Sequence, residues 1–268
     1  MERHQLRYEI NEVVPYINWD YFYYAWQVSD TTERQRLRQE ALDVLDLLDG
    51  RYHTHALFAI GDANSEGDDI VFCGTRIPML RQQGAGRQGT PNMCLSDFIR
   101  PKGQAPDTMG VFAATVDNAL EKDFLADDYK RMMAQLVADR LAEATTEKMH
   151  EEVRKRYWGY APDECLSIAE MQAEHFQGIR PAVGYPSMPD TSLNFIIGDI
   201  LHIGDIGIRL TENGAMRPHA SVSGLMIAHP QARYFNIGKI GEDQLADYAL
   251  RRGLPVELAR RFLAAVLR

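Results

Sequence analysis

Stretches whose apolar residues recur at helical spacing alternate along this chain with shorter runs in which apolar residues crowd together. Leu37, Ala41, Val44, Leu45 and Leu48 fall on one face of a helix over 31–49, with Asp30 placed to cap it, Glu33 three residues on and Gly50 to stop it. The runs 53–60, 70–74 and 109–115 are short and β-rich and predict strands. The polar stretch from Asp62 to Asp69 predicts a turn between the first two. Helical period returns over 128–157, where Met132, Met133, Leu136, Val137, Leu141, Ala144, Met149 and Val153 form a stripe. This predicts one helix of roughly 45 Å at 1.5 Å per residue. A loop rich in Pro and Gly follows at 178–190, then strand-like material at 207–210, 221–227 and 234–237. The last helix has Glu242 and Asp243 at its start, Arg251 and Arg252 at its end and Gly253 beyond, which suits the helix dipole and a glycine C-cap. Helices at both ends of a set of short strands predict an α+β fold rather than regular βαβ alternation. No linker-like stretch interrupts the chain, so 1–268 is expected to form a single domain that includes an N-terminal helical segment over about 1–50.

Composition narrows the partners. The 268 residues are 45% hydrophobic and 25% charged, as in an ordinary globular protein. Twenty-nine Lys and Arg against 38 Asp and Glu give a net charge of −9, a field that repels nucleic acid and anionic membrane surfaces. Cys73, Cys94 and Cys165 are isolated, which argues against both a disulfide framework and a structural zinc site. No segment reaches about 18 uninterrupted apolar residues and the N-terminus has no apolar leader, so neither export nor membrane insertion is expected. The cytoplasm is the expected compartment.

The loop 178–190 is the most informative stretch for chemistry. Three prolines stiffen it, Gly184 permits close backbone approach, and Arg180 supplies a fork of donors suited to a carboxylate. A rigid connector with one arginine reads equally well from these residues. Glu143, Glu147 and Glu151, four apart on the long helix, read as a solvated acidic face or as part of a site. Glu174 precedes the Arg180 loop and could face it, or be an ordinary exposed carboxylate. The aromatic run from Tyr16 to Trp26 reads as a platform for a flat ligand or, more ordinarily, as core and subunit interface. There is no HExxH pair, Walker loop or Gly-x-Gly-x-x-Gly, so Rossmann-type methyl transfer and nucleotide hydrolysis are disfavoured and no metal ligands are assigned.

Several motifs, in order, resemble the activation domain of cobalamin-dependent methionine synthase. They include Ala63-Asn64-Ser65, Leu80-Arg81-Gln82-Gln83, Leu95-Ser96-Asp97-Phe98, Asp128-Tyr129-Lys130, and Ala138-Asp139-Arg140-Leu141-Ala142-Glu143-Ala144. Tyr157-Trp158-Gly159-Tyr160-Ala161-Pro162, Gln177-Gly178-Ile179-Arg180-Pro181-Ala182, Gly184-Tyr185-Pro186, Leu210-Thr211-Glu212, Ala220-Ser221-Val222-Ser223-Gly224 and Asp247-Tyr248-Ala249 continue the match over essentially the whole chain. The resemblance implies a C-shaped α+β domain with a twisted antiparallel sheet that binds S-adenosylmethionine in a shallow groove. It implies that Arg180 holds the methionyl carboxylate, that the backbone around Ala182, Gly184 and Tyr185 meets the adenosyl part, and that Glu143, Glu174 and Tyr234 line the site. Tyr185 would also lie near the upper face of cobalamin presented by a partner domain.

Departures from the family pattern bear on the same site. Asn18 stands where the family usually has an aspartate for the ligand's ammonium, which implies a weaker hold unless Asp20 substitutes. Ala182-Val183-Gly184-Tyr185 and Met216-Arg217-Pro218-His219 also differ from the usual forms. The chain further lacks the Asp-x-His-x-x-Gly signature that supplies cobalamin's lower ligand. It is therefore expected to act in trans as a methyltransferase component, not a complete synthase. It would support reductive methylation of cob(II)alamin on the cobalamin-binding domain of a methionine synthase, with a flavodoxin-like electron donor. The alternative is a non-catalytic S-adenosylmethionine sensor or a partner of another corrinoid protein.

Overall fold

A computed structural model of the chain describes residues 1–84, 91–120, 124 and 126–268. Its centre is a curled antiparallel sheet built on one long strand, β2 (His53–Glu66), which carries β1 (Glu2–Glu9) and then β3 (Asp69–Phe72) along one edge and β5 (Asp107–Val116) along the other. β4 (Thr75–Pro78) extends the sheet beyond β3, and β8 (Ser221–Met226) extends it beyond β5. A separate small ladder joins β6 (Arg209–Leu210) to β7 (Met216–Arg217).

Helices cover both faces of this sheet, and successive side chains of a strand therefore enter different cores. Ala56 and Phe58 of β2, with Phe112, Ala114 and Val116 of β5, pack under α3 (Thr31–Leu48) and α4 (Asp128–Glu152). Leu57 and Ala59, with Met109, Val111 and Ala113, face the opposite core with α6 (Leu193–Leu201). Burial on both faces explains why these strands read as continuous apolar runs. A third cluster, built on Leu245, Tyr248, Ala249 and Leu263, ties α7 (Glu242–Arg252) and α8 (Val256–Phe262) to the rest. The short helices α1 (Ile10–Val13), α2 (Trp19–Ala25) and α5 (Ile168–Gln172) complete the set, and α1 and α2 pack against α4. Among the described residues no helix is long and apolar enough to cross a membrane.

The α+β expectation holds, and so do the helix capped by Asp30, whose side chain accepts from the Glu33 amide at 2.9 Å, and the C-cap at Gly253, with φ +64°. Several boundaries differ. The segment expected to be helical over about 1–50 opens with a strand instead: Leu6 and Tyr8 turn toward the core while their neighbours stay exposed, and pairing with β2 fixes them there. The polar stretch 62–69 is mostly strand, with its turn confined to Gly67 and Asp68, because ladder bonds to β3 and β5 carry polar residues through. The long helix ends as α-helix at Glu152 and widens into one π-turn, Val153–Tyr157. There Val153's carbonyl accepts from both Trp158 and Gly159, and Gly159 takes φ +70°. Residues 234–237 are irregular rather than strand. The apolar run of α6 hides its helical spacing: Leu193, Asn194, Ile197, Ile200 and Leu201 are buried on one face, but the exposed Phe195 and half-buried Ile196 are apolar too.

Leu141 is fully buried where α4 meets the sheet. Leu141→Ala is expected to lower the unfolding free energy by about 2–5 kcal/mol, read by urea denaturation. A loss under about 1 kcal/mol would contradict the packing described.

Candidate functional site

A cleft of about 800 Å³ opens between α2, α4, the 178–190 loop and the segment around Tyr234. Its floor is apolar, formed by Phe112 of β5, Val222 of β8, Ala144 of α4 and Phe176. The wall that carries Arg180 is an irregular strand added to the free edge of β8. Ile179 exchanges both backbone bonds with Ile227 at 2.9 and 3.0 Å, the Leu225 amide donates to the Pro181 carbonyl at 3.0 Å, and the Val183 amide donates to Ser223 at 2.9 Å. Proline at 181 can only accept: it takes the Leu225 bond but has no N–H to return one, as Ile179 does to Ile227. The alternation turns the Arg180 amide away from β8, where it donates to the Tyr234 hydroxyl at 2.9 Å.

Two glycines make the approach possible. Gly178 has φ +86°, and Gly224 lies so close beneath the loop that a Cβ there would collide with the Pro181 carbonyl oxygen and come within 2.9 Å of the Ala182 Cα. The far end of the loop is pinned by Asp190, which is buried. Its carboxylate accepts from Tyr248 at 2.6 Å and from the Ser192 amide at 2.8 Å, with Arg252 at 3.6 Å. Burial, and then the Asp190 charge, push the Tyr248 phenol well above its ordinary value.

Among the lining residues three carboxylates, Glu143, Glu147 and Glu174, oppose two guanidiniums, Arg140 and Arg180. The Arg180 side chain is 11% exposed and pairs with Glu147, Nη2 making the shorter contact and Nη1 a second at 3.4 Å. Burial alone would lower the Arg180 guanidinium, but Glu147 and then Tyr234 hold it above its usual value. Glu143 sits beside Arg140 at 2.9 Å, and burial raises its carboxyl despite that cation. Glu174, at the left-handed φ of +59°, is likewise raised by burial and then by the Glu147 charge. Burial also raises the phenols of Tyr234 and Tyr185, with Glu143 adding to the effect at Tyr185.

Behind this wall lies a buried polar layer. Arg154, at 0% exposure, grips Glu164 through Nε at 2.9 Å and Nη2 at 2.6 Å. It donates through Nη1 to His150 Nδ1 at 2.8 Å, and its guanidinium carbon lies 4.3 Å from the centroid of the Phe176 ring. An imidazole that accepts from a guanidinium is neutral. Burial, then Arg180 and Arg154, hold His150 well below its ordinary value.

The fold thus brings Asn18, Glu143, Glu174, Arg180, Ala182, Tyr185 and Tyr234 to one cleft, while Gly184, at φ +88°, shapes the turn without lining it. Backbone amides at the turn of the loop are engaged within it: Gly184 donates to Met188 at 2.8 Å and Tyr185 to Ala182 at 3.3 Å. Asn18 caps α2 by accepting from the Asp20 amide at 3.1 Å. Asp20 is not a lining residue; its carboxylate is 88% exposed and lies 3.8 Å from Arg34. The acidic face on α4 is not simply solvated, since Glu143, Glu147 and Glu151 each have a partner, Tyr16 donating to Glu151 at 2.6 Å. The aromatic run divides its roles: Phe22 and Tyr23 are core, while Tyr16, Tyr21 and Tyr24 line the cleft. Sequence reasoning missed Phe112, Gln172, Phe176 and Phe235 as lining residues. Phe112 carries no signal beyond its strand, whereas Phe235 adjoins an expected site tyrosine.

A family model for the activation domain of vitamin B12-dependent methionine synthase matches residues 9–253. Among solved structures, a crystal structure of the MetH reactivation domain bound to AdoHcy superposes with a TM-score of 0.94 at 38% sequence identity. That match covers 100% of this chain and 90% of the other.

The neutral His150 has a consequence for stability. Unfolded, its imidazole takes up a proton as pH falls through about 6.5; folded, it does not until pH is much lower. The unfolded state then binds more protons, so this group's contribution is fully present above about pH 7 and is lost as pH falls below that. Wild type is expected to lose up to about 1.4 kcal/mol per pH unit more than His150→Gln between about pH 6 and 5, measured by denaturant unfolding. Equal slopes would mean that the buried imidazole charges in the fold.

Proposed function

The chain belongs to the activation-domain family of vitamin B12-dependent methionine synthase, and from that premise we propose that it binds S-adenosylmethionine in the Arg180 cleft and serves, in trans, the reductive methylation of cobalamin carried by a partner domain. The observation that carries this reading is the placement of Arg180: a nearly buried guanidinium, braced by a backbone–tyrosine bond, in the wall of a cleft the size of a small-molecule site. The solved relative's bound AdoHcy supports the ligand class.

In this reading Arg180 takes the amino-acid carboxylate with a charge-assisted fork. The aromatic and apolar floor, Phe112 and Phe176 with Val222, receives the nucleoside side and excludes water from the sulfonium. The loop backbone at Ala182 and the ring of Tyr185 border the adenosyl part, with Gly184 setting the turn between them. Tyr234 fixes the Arg180 backbone, while Glu143 and Glu174 supply negative charge to a cationic ligand. Asn18, engaged in capping α2, shapes the rim beside them. Tyr185, about half exposed, is available to a docking partner.

Cobalamin, reduced by a flavodoxin-like donor on the partner, supplies the nucleophile that accepts the methyl group. This chain's own part is orientation: holding the sulfonium methyl in line and dry, an effect that positioning alone makes large. No side-chain nucleophile is needed, and the cytoplasm is the compartment in which such a system would work.

Calorimetric titration of the purified protein with S-adenosylmethionine is expected to give saturable one-site binding. Arg180→Ala should weaken it at least about tenfold, as loss of a charged hydrogen-bond partner does, with the melting temperature as a check on folding. Absence of binding by the wild type, or an unchanged affinity in the variant, rejects the site. With binding in hand, the trans role is read by the visible spectrum of methylcobalamin on a cobalamin-domain protein supplied with reductant. Failure there despite tight binding would favour a sensor.

A further inference from the structure

We propose that Glu147 is the second half of a zwitterion clamp, in which Arg180 receives the carboxylate of the ligand's amino-acid end and Glu147 receives its ammonium. The inference rests on the reading of this cleft as the S-adenosylmethionine site and names the residue that would make it selective for an α-amino acid head group.

Covalent geometry imposes the first constraint. The carboxylate carbon and the ammonium nitrogen of an α-amino acid are bonded to the same carbon, roughly 2.5 Å apart for ordinary bond lengths and angles. Whatever groups hold the two charges must therefore be neighbours. Arg180 and Glu147 are in direct contact, and both line the cleft. A guanidinium has five N–H donors, and the Glu147 contact uses Nη1 and Nη2 once each. Donors remain for a carboxylate, and the Glu147 carboxylate keeps lone pairs for an ammonium. A zwitterion laid across this pair completes a ring of four alternating charges in a site shielded from water, where each contact counts for more than at a surface.

Of the competing acceptors, all but Glu174 are engaged elsewhere. Asn18 is neutral, and its Oδ1 accepts from the Asp20 amide at the start of α2. The Asp20 carboxylate faces Arg34 and solvent outside the cleft. Glu143 is paired with Arg140 at 2.9 Å, a full helical turn from Glu147. Glu174 lines the cleft without an ion pair to Arg180, and burial and then the Glu147 charge raise its carboxyl. Of the three lining acids, Glu147 is the one in contact with the guanidinium that would take the carboxylate.

A purely competitive role for Glu147 predicts the reverse of a clamp. If Glu147 merely occupied the guanidinium, its removal would free donors and tighten binding of any ligand carrying a carboxylate. The two roles are separated by comparing S-adenosylmethionine with its des-amino analogue, which retains the carboxylate, sulfonium and nucleoside.

The test is titration of the full chain and of Glu147→Gln with both compounds at neutral pH. Three results are expected. Wild type prefers S-adenosylmethionine over the des-amino analogue by about tenfold or more. Glu147→Gln loses most of its affinity for S-adenosylmethionine. The same variant binds the des-amino analogue no more weakly than wild type does. The clamp is overturned if Glu147→Gln binds S-adenosylmethionine as tightly as wild type or more so, or if it loses both compounds alike. Should Glu147→Gln fail to fold, the wild-type preference between the two compounds decides alone, and a ratio near one overturns the clamp. Wild-type binding of neither compound overturns the reading of the site itself, whereas binding of both without discrimination overturns the clamp and leaves that reading intact.

Discussion

The carbonyl oxygen of Pro181 lies where the side chain of any residue but glycine at 224 would have to begin. That one close approach lets an irregular, proline-stiffened segment lie against β8 as an added strand, and much of the site's geometry follows from it. Strand-like alternation sends Ile179 and Val183 into the core beneath and leaves Arg180 facing the cleft. It also points the Arg180 amide outward to the Tyr234 hydroxyl, so the backbone under the guanidinium is held from both sides. The guanidinium is therefore positioned by main-chain bonds on a rigid sheet edge and does not rely on its own flexible stem.

Two arginine–carboxylate pairs sit within a short distance along this wall, and their solvation separates their roles. Arg154 and Glu164 are closed off, with side-chain exposures of 0% and 8%, and His150 and the Phe176 ring complete the guanidinium's surroundings. A pair so buried gains little net stability, because desolvation offsets most of the Coulombic attraction. What it supplies is register: the π-turn after α4 and the segment leading to Phe176 have one arrangement in which each guanidinium nitrogen meets a partner. Arg180 and Glu147 are only partly closed off, at 11% and 23%, and both border the cleft. The inner pair is enclosed by the protein, whereas the outer pair borders the cleft with donors and lone pairs that its mutual contact leaves unused.

Elements whose signal was local could be read from the sequence. The helix after Asp30 and the C-cap at Gly253 depend on neighbours three or four residues away, and both stand as expected. β1 depends on a partner about fifty residues on, and its alternation of Arg3, Gln5 and Arg7 with His4, Leu6 and Tyr8 is too polar to announce a strand without it. α6 escaped notice because the exposed Phe195 and half-buried Ile196 fill the gaps between its buried positions Leu193, Asn194, Ile197, Ile200 and Leu201, so the sequence reads as an apolar run and not a stripe. The site divides in the same way. Arg180, Glu143, Glu174, Tyr185 and Tyr234 line one cleft, and the motif resemblance anticipated the family. Glu147 reads from the sequence as part of a solvated face or of a site, since spacing along one helix says nothing about a guanidinium 33 residues later. The engagement of the Asn18 side chain in capping α2 was equally invisible, because it depends on where that helix starts.

α4 shows why that acidic face was hard to interpret. Glutamates four residues apart share one side of a helix, and their mutual repulsion would destabilise it by a few tenths of a kcal/mol per pair. Here each meets a different group: Glu143 the guanidinium of Arg140 on the preceding turn, Glu147 that of Arg180 from the loop, and Glu151 the Tyr16 hydroxyl and the Lys155 ammonium at 3.2 Å. The compensation is graded by the origin of the partner. Arg140 and Lys155 belong to α4 or the π-turn that continues it, so those contacts form with the helix, whereas Arg180 arrives only once the added strand has docked on β8. The charged pair that borders the cleft is thus created by tertiary assembly. The helix that fills the core with Leu141, Ala144 and Met149 presents a cleft of the right polarity only because Gly224 lets the loop come close enough to pair with it.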